Sequence, residues 1–192
     1  MNKWVLLGVS AVIFVIAGIA GIIYFSAAPT LQGSVINPPI PAASIDLMNF
    51  DGRPFSLNDA RGKVTLLYFG YTNCPDECPL MMAHLKLAVD AVGSGADQIV
   101  VAMVTTDPMR DTPDTLRQFL RKFDPSFMGL TGSNDDLATV WKGYGVTVLN
   151  GGETHSNYLY VIDPSGDLVE TFLADAAPEI IAADVRLLLK GK

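Results

Sequence analysis

The pattern of hydrophobic and polar positions separates an apolar N-terminal segment from a longer part in which strand-like and helix-like segments alternate. Residues 4–25 contain no charged side chain. A helix of this length would extend roughly 33 Å, enough to cross the ~30 Å hydrocarbon core of a bilayer. Because the apolar core of a signal peptide is usually shorter, we predict an uncleaved membrane anchor over residues 1–25. A signal peptide cleaved near Ala27 and Ala28 is the alternative.

The charges around this segment predict its orientation. Lys3 is the only basic residue before Arg53, so the positive-inside rule places the N-terminus in the cytoplasm. The chain is then a single-pass membrane protein whose following domain is periplasmic or otherwise extracytoplasmic. Residues 26–43 contain four prolines and no charge, which indicates an extended, partly polyproline spacer between anchor and domain.

From residue 44 onward, buried strands alternate with amphipathic helices, which favours a central sheet covered on both faces. The pattern predicts a hairpin over residues 46–57, strands at 64–69 and 99–104, helices at 80–92, from Thr112-Pro113, from Ser133 and at 178–189, and a hairpin of strands 158–162 and 168–172. The order strand, helix, strand and then hairpin and helix is thioredoxin-like. We therefore predict an α/β fold, a central mixed sheet flanked by helices, over residues 44–192.

Composition excludes several classes of protein. The chain has 13 Lys and Arg against 20 Asp and Glu, a net charge of −7. This acidic balance argues against a nucleic-acid partner, because phosphate binding needs a basic surface. The 2 cysteines are too few for a disulfide-stapled miniprotein or an all-thiolate zinc site.

The candidate chemistry begins at the two cysteines, Cys74 and Cys78, which lie between the first buried strand and the first helix. Backbone N–H groups and the helix dipole at a helix start favour a thiolate, so we expect this at Cys78. Thiolates are soft ligands that select Cu(I) or zinc. A structural disulfide is the alternative, although so short a loop gains little stability from closure. The spacing alone leaves redox chemistry and metal binding both open.

The two histidines differ in their surroundings. His84 lies more than a helical turn beyond the cysteines, and we expect it to be packed or at the surface. His155 lies in a loop before a strand, a common place for functional residues. Imidazole can complete a thiolate copper site, although a lone loop histidine is more often a plain surface residue. Gly151 and Gly152 would let this loop move.

Acidic residues follow the second buried strand. Asp107 lies at the carboxyl end of that strand, where ligand sites gather in open sheets, and could orient a side chain near the thiols. Asp111 is interpreted as a loop and capping residue before the next helix. Asp76 and Glu77 are interpreted as solvated acids at a helix N-terminus.

The segments 72–79 and 107–113, together with the late histidine, resemble the Sco/SenC family, whose members are membrane-anchored, thioredoxin-like proteins that help metallate cytochrome c oxidase. The resemblance implies copper ligands at Cys74, Cys78 and His155, with Asp107 as an acidic residue near the site. It implies Cu(I) binding, or Cu(II) with an added weak ligand. The expected recipient is the dinuclear copper centre of cytochrome c oxidase subunit II. Another copper chaperone or a thioredoxin-like reductant is a further expected partner.

Three other functions remain open. A thiol–disulfide oxidoreductase that reduces the acceptor's cysteines would need Cys74 and Cys78 but not His155, and the resemblance otherwise implies a metallochaperone rather than an enzyme. A copper or redox sensor would bind metal without passing it on. A peroxiredoxin is disfavoured, because such enzymes have a threonine three residues before the reactive cysteine, whereas Thr72 is two residues before Cys74.

Overall fold

The structure is a computed structural model that describes residues 9, 12–16, 18 and 30–191. Residues 9, 12–16 and 18 are helical. Most of the predicted anchor over residues 1–25, and residues 26–29 of the predicted spacer, lie outside the described residues. Within the described part of the chain, no helix is both long enough and apolar enough to cross a membrane. The anchor therefore stays a prediction.

Residues 30–191 contain strands and helices in alternation. The strands are β1 (Ser34–Pro41), β2 (Asp46–Asn49), β3 (Pro54–Ser56), β4 (Val64–Gly70), β5 (Ile99–Thr105), β6 (Met128–Thr131), β7 (Val148–Leu149), β8 (Thr154–His155), β9 (Tyr158–Ile162) and β10 (Asp167–Leu173). The α-helices are α1 (Glu77–Val92), α2 (Pro113–Leu120), α3 (Asn134–Gly143) and α4 (Pro178–Lys190). Short 3₁₀ helices cover Leu57–Ala60, Gly93–Gln98 and Asn150–Gly152.

Eight strands form one mixed sheet in the order β1-β10-β9-β4-β5-β6-β2-β3, and β7 pairs with β8 separately. The neighbours β4 and β5 are parallel, as are β5 and β6. The strand β9 joins the other side of β4 in antiparallel orientation. A parallel pair needs a crossover connection, which α1 supplies here. The predicted mixed α/β sheet with thioredoxin-like order is thereby confirmed.

Alternation along β4 explains why its sequence is mostly apolar and why its threonine, Thr65, is buried too. Leu66 and Tyr68 pack in a core with residues of α1 and α4, whereas Leu67 and Phe69 pack in a second core with residues of α3. Successive side chains of a strand point to opposite faces, so a strand covered on both faces has no position for an exposed polar residue. All seven residues of β4 are buried.

Two of the predicted helix starts are confirmed by side-chain caps, and one other start is shifted. The Thr112 side chain accepts a hydrogen bond from Thr115 N at 3.2 Å, and Ser133 accepts one from Asp136 N at 3.2 Å. The helix α1 begins at Glu77 rather than at residue 80. Cys78 therefore lies inside the first turn of α1.

Part of the predicted spacer belongs to the sheet. Residues Ser34–Pro41 form β1, which pairs antiparallel with β10 at the edge of the sheet. The prolines that indicated a polyproline segment are compatible with an edge strand, because an edge residue needs no N–H for a second neighbour. The interpretation of residues 26–43 as a free spacer was thus wrong for residues 34–41.

Two buried carboxyl groups lie close together near the start of β1, and one of them attaches the chain before β1 to the last helix. Asp184 of α4 and Glu170 of β10 are both fully buried. Asp184 Oδ2 accepts hydrogen bonds from Gln32 N at 2.5 Å and from Gly33 N at 3.1 Å. Burial, and then the neighbouring Asp184 carboxylate, raise the pKa of Glu170 to about 8. Glu170 is consequently protonated in the folded protein at pH values where it would ionise in water.

We predict that the free energy of unfolding falls as the pH rises from 4.5, the ordinary pKa of this side chain, to about 8. In this window the folded state keeps a proton on Glu170 that the unfolded chain releases, so a higher pH favours unfolding. Glu170→Gln should reduce this pH dependence, because its amide does not titrate. Urea unfolding at several pH values measures it, with the exposed Glu179→Gln as a control. Equal pH dependence in the wild type and Glu170→Gln would contradict the prediction.

Candidate metal centre

The cysteine loop lies at the carboxyl end of β4. Cys78 is fully buried, Cys74 is half-buried, and both are free thiols. Gly70, the last residue of β4, makes room for the buried thiol. A Cβ atom there would lie 2.9 Å from Cys78 Sγ and 2.7 Å from Tyr68 Cε1. A side chain at position 70 would therefore displace the sulfur.

The buried carboxylate of Asp111 fastens this loop to the end of β5. It accepts hydrogen bonds from Thr72 Oγ1 at 2.6 Å, from Thr72 N at 3.1 Å and from Thr105 Oγ1 at 2.7 Å. Burial raises the pKa of Asp111, although the threonine hydrogen bonds oppose the shift. The interpretation of Asp111 as a capping residue missed this role, because its partners are distant in sequence.

The two thiols differ in their electrostatic surroundings. Burial opposes ionisation of Cys74, but hydrogen bonds from the backbone N–H groups of Cys78, Asp76 and Glu77 outweigh it and lower the pKa of this thiol. The bond from Cys78 N to Cys74 Sγ measures 3.4 Å. Burial raises the pKa of Cys78 to about 12. The expectation of a thiolate at Cys78 was wrong, since the N–H groups at the start of α1 point to Cys74 instead.

His155 lies against the buried thiol. Its Nε2 is 3.8 Å from Cys78 Sγ, and its Nδ1 is 3.0 Å from the carbonyl oxygen of Ser156. A carbonyl oxygen only accepts, so Nδ1 carries the hydrogen and Nε2 presents its lone pair to the sulfur. The rings of Tyr68 and Tyr71 meet the imidazole edge to face, with centroids 6.2 Å and 5.9 Å away.

The loop that carries His155 is attached to the end of β5 at Gly152. Gly152 has φ +101°, and a Cβ there would lie 2.2 Å from Thr106 O. Thr106 Oγ1 donates a hydrogen bond to Gly152 O at 3.0 Å. Glycine at position 152 thus permits close packing, and the expected mobility of the loop stays a prediction.

Asp107 acts on this loop through an arginine. It is buried and accepts a hydrogen bond from Arg110 Nε. Arg110 also donates to Glu153 Oε1 at 2.7 Å. Glu153 precedes His155 by two residues, so the ion pairs connect the β5 loop to the histidine loop. The hydrogen bonds of Asp107 thus lead to the His155 loop and not directly to the thiols.

Three further side chains form a hydrogen-bonded chain beside Cys78. Asn157 Nδ2 donates to Glu77 Oε2 at 2.5 Å, and the Tyr68 hydroxyl donates to Asn157 Oδ1 at 2.7 Å. The same hydroxyl lies 3.7 Å from Cys78 Sγ. The interpretation of Glu77 as a solvated acid missed its bond to Asn157. Because Asn157 follows the candidate ligand His155 by only two residues, its place in the sequence was the available signal that it lies near the site.

The structure therefore brings some predicted site residues together and leaves others apart. Cys78 and His155 are in contact, and Cys74 adjoins them through the Cys78 amide. His84 is elsewhere, with Nδ1 3.0 Å from Ala176 O. Among the residues that the structure describes, no three His, Cys, Asp or Glu side chains already surround a position for a metal ion. A cleft opens onto the site, lined by Tyr71, Cys74, Pro75, Asp76, Glu77, Glu153, Thr154 and His155.

Comparisons with known proteins identify the relatives of the chain. The SCO1/SenC family model matches residues 39–190. A SCO2-like protein of Rickettsia felis is 32% identical over 145 residues, which cover 71% of each chain. The copper-bound structure of Bradyrhizobium japonicum ScoI is 32% identical, with a TM-score of 0.69, over 78% of this chain and 99% of that one. Apo Sco1 of Thermus thermophilus has a TM-score of 0.75 at 30% identity, over 85% and 99% of the two chains.

Other relatives are named by location or process. One is the mitochondrial protein SCO2 of Saccharomyces cerevisiae, 34% identical over 65% of this chain and 45% of that protein. A Bacillus anthracis lipoprotein of the SCO1/SenC family is 26% identical, with a TM-score of 0.69, over 80% of this chain and 98% of that one. BsSco, which is called a member of the Sco family of cytochrome c oxidase assembly proteins, shares the fold at 22% identity and a TM-score of 0.68, over 85% of this chain and 99% of that one.

We predict that Cys74 reacts with iodoacetamide roughly tenfold or more faster than Cys78 at pH 7, because the thiolate is the nucleophile. Cys78→Ser leaves only Cys74, and Cys74→Ser leaves only Cys78. The alkylation rate of the Cys78→Ser protein should level off once the pH exceeds the pKa of Cys74, which lies below 9.0. The alkylation rate of the Cys74→Ser protein should keep rising with pH. Mass spectrometry of quenched samples gives both rates. The two rates should converge in denaturant, and equal rates in the folded proteins would contradict the prediction.

Proposed function

Because the chain belongs to the SCO1/SenC family, we propose that it is a copper chaperone that binds copper through Cys74, Cys78 and His155. It delivers this cargo to the dinuclear copper centre of cytochrome c oxidase subunit II. Three observations support the proposal: the family membership, the copper-bound relative from Bradyrhizobium japonicum, and the contact between a cysteine sulfur and an imidazole nitrogen.

The contact between Cys78 Sγ and His155 Nε2 carries the proposal. Metal–sulfur and metal–nitrogen bonds of about 2.3 Å and 2.0 Å, the values for zinc, put the two ligand atoms about 3.7 Å apart at an angle near 120°. The observed separation is 3.8 Å. The imidazole also has the required tautomer, since Nδ1 donates its hydrogen to Ser156 O and the lone pair of Nε2 is left for a metal. Little movement of these two side chains would admit one ion.

Two thiolates and one imidazole favour Cu(I). With an added weak ligand, the same site would also hold Cu(II). Copper binding displaces the protons of both thiols, and the high pKa of Cys78 makes its sulfur a strong donor once deprotonated. Cys74 faces the cleft, where ligands of a partner can enter and replace those of the chaperone. A disulfide between the two cysteines would remove both thiolates, so the redox state of the pair controls loading.

The position of the chain in the cell is part of the same proposal. The anchor over residues 1–25 would hold the copper-binding domain, residues 44–192, on the outer side of a membrane that contains the oxidase. Residues 34–41 join the domain as β1, so the linker ends before them. Another copper chaperone would supply the metal, and a thioredoxin-like reductant would keep the cysteines reduced.

We predict that the reduced full chain binds one equivalent of Cu(I) under anaerobic conditions. His155→Ala and Cys78→Ser should each weaken binding by more than the roughly 10–100-fold typical of losing an outer partner, because each removes a ligand. Titration against a competing Cu(I) chelator measures the affinity. His84→Ala is the matched control, since its Nδ1 faces Ala176 O outside the site, and it should bind as the wild type does.

Delivery is tested by mixing the copper-loaded chain with the soluble copper domain of subunit II and following the absorption of the dinuclear centre. The ligand assignment would be overturned if the wild type bound no copper. It would also be overturned if His155→Ala and Cys78→Ser bound Cu(I) as tightly as the control His84→Ala does. Binding without transfer would instead identify a sensor or a scaffold.

The asymmetry of the two thiols favours one second function, reduction of a disulfide in the acceptor. Cys74 is the more accessible thiol and has the lowered pKa, whereas Cys78 is buried. The Cys74 thiolate would attack the acceptor disulfide and form a mixed disulfide with release of one acceptor thiol. Cys78, on losing its proton, would then displace the second acceptor thiol and leave a Cys74–Cys78 disulfide. The acceptor gains the two electrons that the cysteine pair loses.

For this second function we predict that Cys74→Ser abolishes reduction of an acceptor disulfide, because the attacking thiolate is gone. Cys78→Ser should accumulate the mixed disulfide, which non-reducing gel electrophoresis resolves. His155→Ala should keep its activity. Reduction that survives Cys74→Ser, or a wild type that leaves the acceptor oxidised, would exclude this function, and the copper titration would be unaffected by either result.

A further inference from the structure

The Asn157 side chain connects the two segments that carry the ligands proposed above. Its Nδ2 donates to Glu77 Oε2 at 2.5 Å, at the start of α1 next to Cys78. Its Oδ1 accepts from the Tyr68 hydroxyl at 2.7 Å. Asn157 itself follows His155 by two residues. One amide group thereby joins the helix of the buried cysteine to the chain of the histidine.

Tyr68 extends this connection to the sulfur. It is fully buried on β4, and its hydroxyl lies 3.7 Å from Cys78 Sγ. Its ring also meets the edge of the His155 imidazole at a centroid distance of 6.2 Å. The Asn157 amide fixes the tyrosine hydroxyl, and the tyrosine contacts both Cys78 and His155.

The histidine loop has other attachments on both sides of His155, and on the C-terminal side Ser156 exchanges two hydrogen bonds with Thr147, just before β7. Thr106 holds Gly152, and Arg110 holds Glu153. On the C-terminal side the chain enters β9 at Tyr158, and Asn157 is the last residue before that strand. The strand that contains His155 has only two residues and pairs only with β7. Such a short segment gains little from its own ladder, so its position depends on side-chain bonds.

We propose that Asn157 is a positioning residue that holds Cys78 Sγ and His155 Nε2 at the separation needed to share one copper ion. The inference rests on the proposed copper function and adds a residue that does not touch the metal. Asparagine suits the position because its amide offers a donor and an acceptor at once. Aspartate would place a second carboxylate against Glu77, and alanine would remove both bonds.

The donor and acceptor of the Asn157–Glu77 bond can be exchanged between the two residues. In the double variant Asn157→Asp with Glu77→Gln, the new glutamine amide can donate to the new carboxylate. The second carboxylate oxygen can still accept from Tyr68. The net charge is that of the wild type, so a recovery of affinity would report the bond and not the charge.

The test measures the Cu(I) affinity of the full chain by chelator competition, for the wild type and for these variants. Asn157→Ala should weaken binding by about tenfold, the lower end of the range for residues that orient ligands. Asn157→Asp should weaken it at least as much, because two carboxylates then face each other. Adding Glu77→Gln should return most of the affinity. Asn58→Ala, at an exposed asparagine that bonds Arg61, is the control and should bind as the wild type does.

A second readout separates positioning from folding. The sulfur-to-metal charge-transfer absorption of the Cu(II)-loaded chain should shift in Asn157→Ala and return in the double variant, whereas the urea midpoint should change little. Wild-type affinity in Asn157→Ala, or a double variant no better than Asn157→Asp, would overturn the proposal while the copper function stands. A wild type that binds no Cu(I) would overturn both.

Discussion

The parallel pairing of β4 with β5 is the constraint on which the rest of the site depends. Their register aligns Val64 with Ile99 and Gly70 with Thr105, so both strands end at the same edge of the sheet. A parallel pair requires a crossover, and the helix that supplies it begins between the two cysteines, at Glu77. The Asp111 carboxylate then bonds Thr72 on one side and Thr105 on the other. The antiparallel neighbour β9 lies on the opposite side of β4, and its entry brings His155 to the same edge.

At this edge, burial and backbone hydrogen bonding act in opposite directions on two thiols only four residues apart. Burial dominates at Cys78 and raises its pKa, whereas the N–H groups at the start of α1 dominate at Cys74 and lower its pKa. One thiol is thus the more reactive nucleophile and the other is a protected donor. This asymmetry suits a metal chaperone and a disulfide reductase equally, which explains why one fold can support both proposals. The histidine separates them, because only metal binding requires it.

The histidine is held by polar bonds more than by packing. A threonine, an arginine and an asparagine attach its segment to the β5 loop and to α1, and two tyrosine rings meet the imidazole. Polar tethers at a partly exposed site are individually weak, so such a segment can shift when a partner's ligands compete for the metal. The acidic residues Asp76, Glu77 and Glu153 line the same cleft. Under the proposed function, a copper ion that left through this cleft would pass carboxylates that are too hard to retain Cu(I).

The sequence by itself determined the elements whose signals are local. Thr112 and Ser133 capped two of the predicted helices, and the mostly apolar runs became β4 and β5 because strands covered on both faces are rich in apolar residues. The family resemblance singled out the cysteines, His155 and Asp107. Only the tertiary structure decided which groups meet. It joined prolines 38, 39 and 41 to an edge strand, directed the N–H groups of α1 to Cys74, packed Gly152 against Thr106, and made Asn157 and Asp111 bridges between segments. Apart from the hydrogen bond to Cys74, which spans four residues, these outcomes depend on contacts between residues far apart in the chain, and no local pattern of side chains encodes such distances.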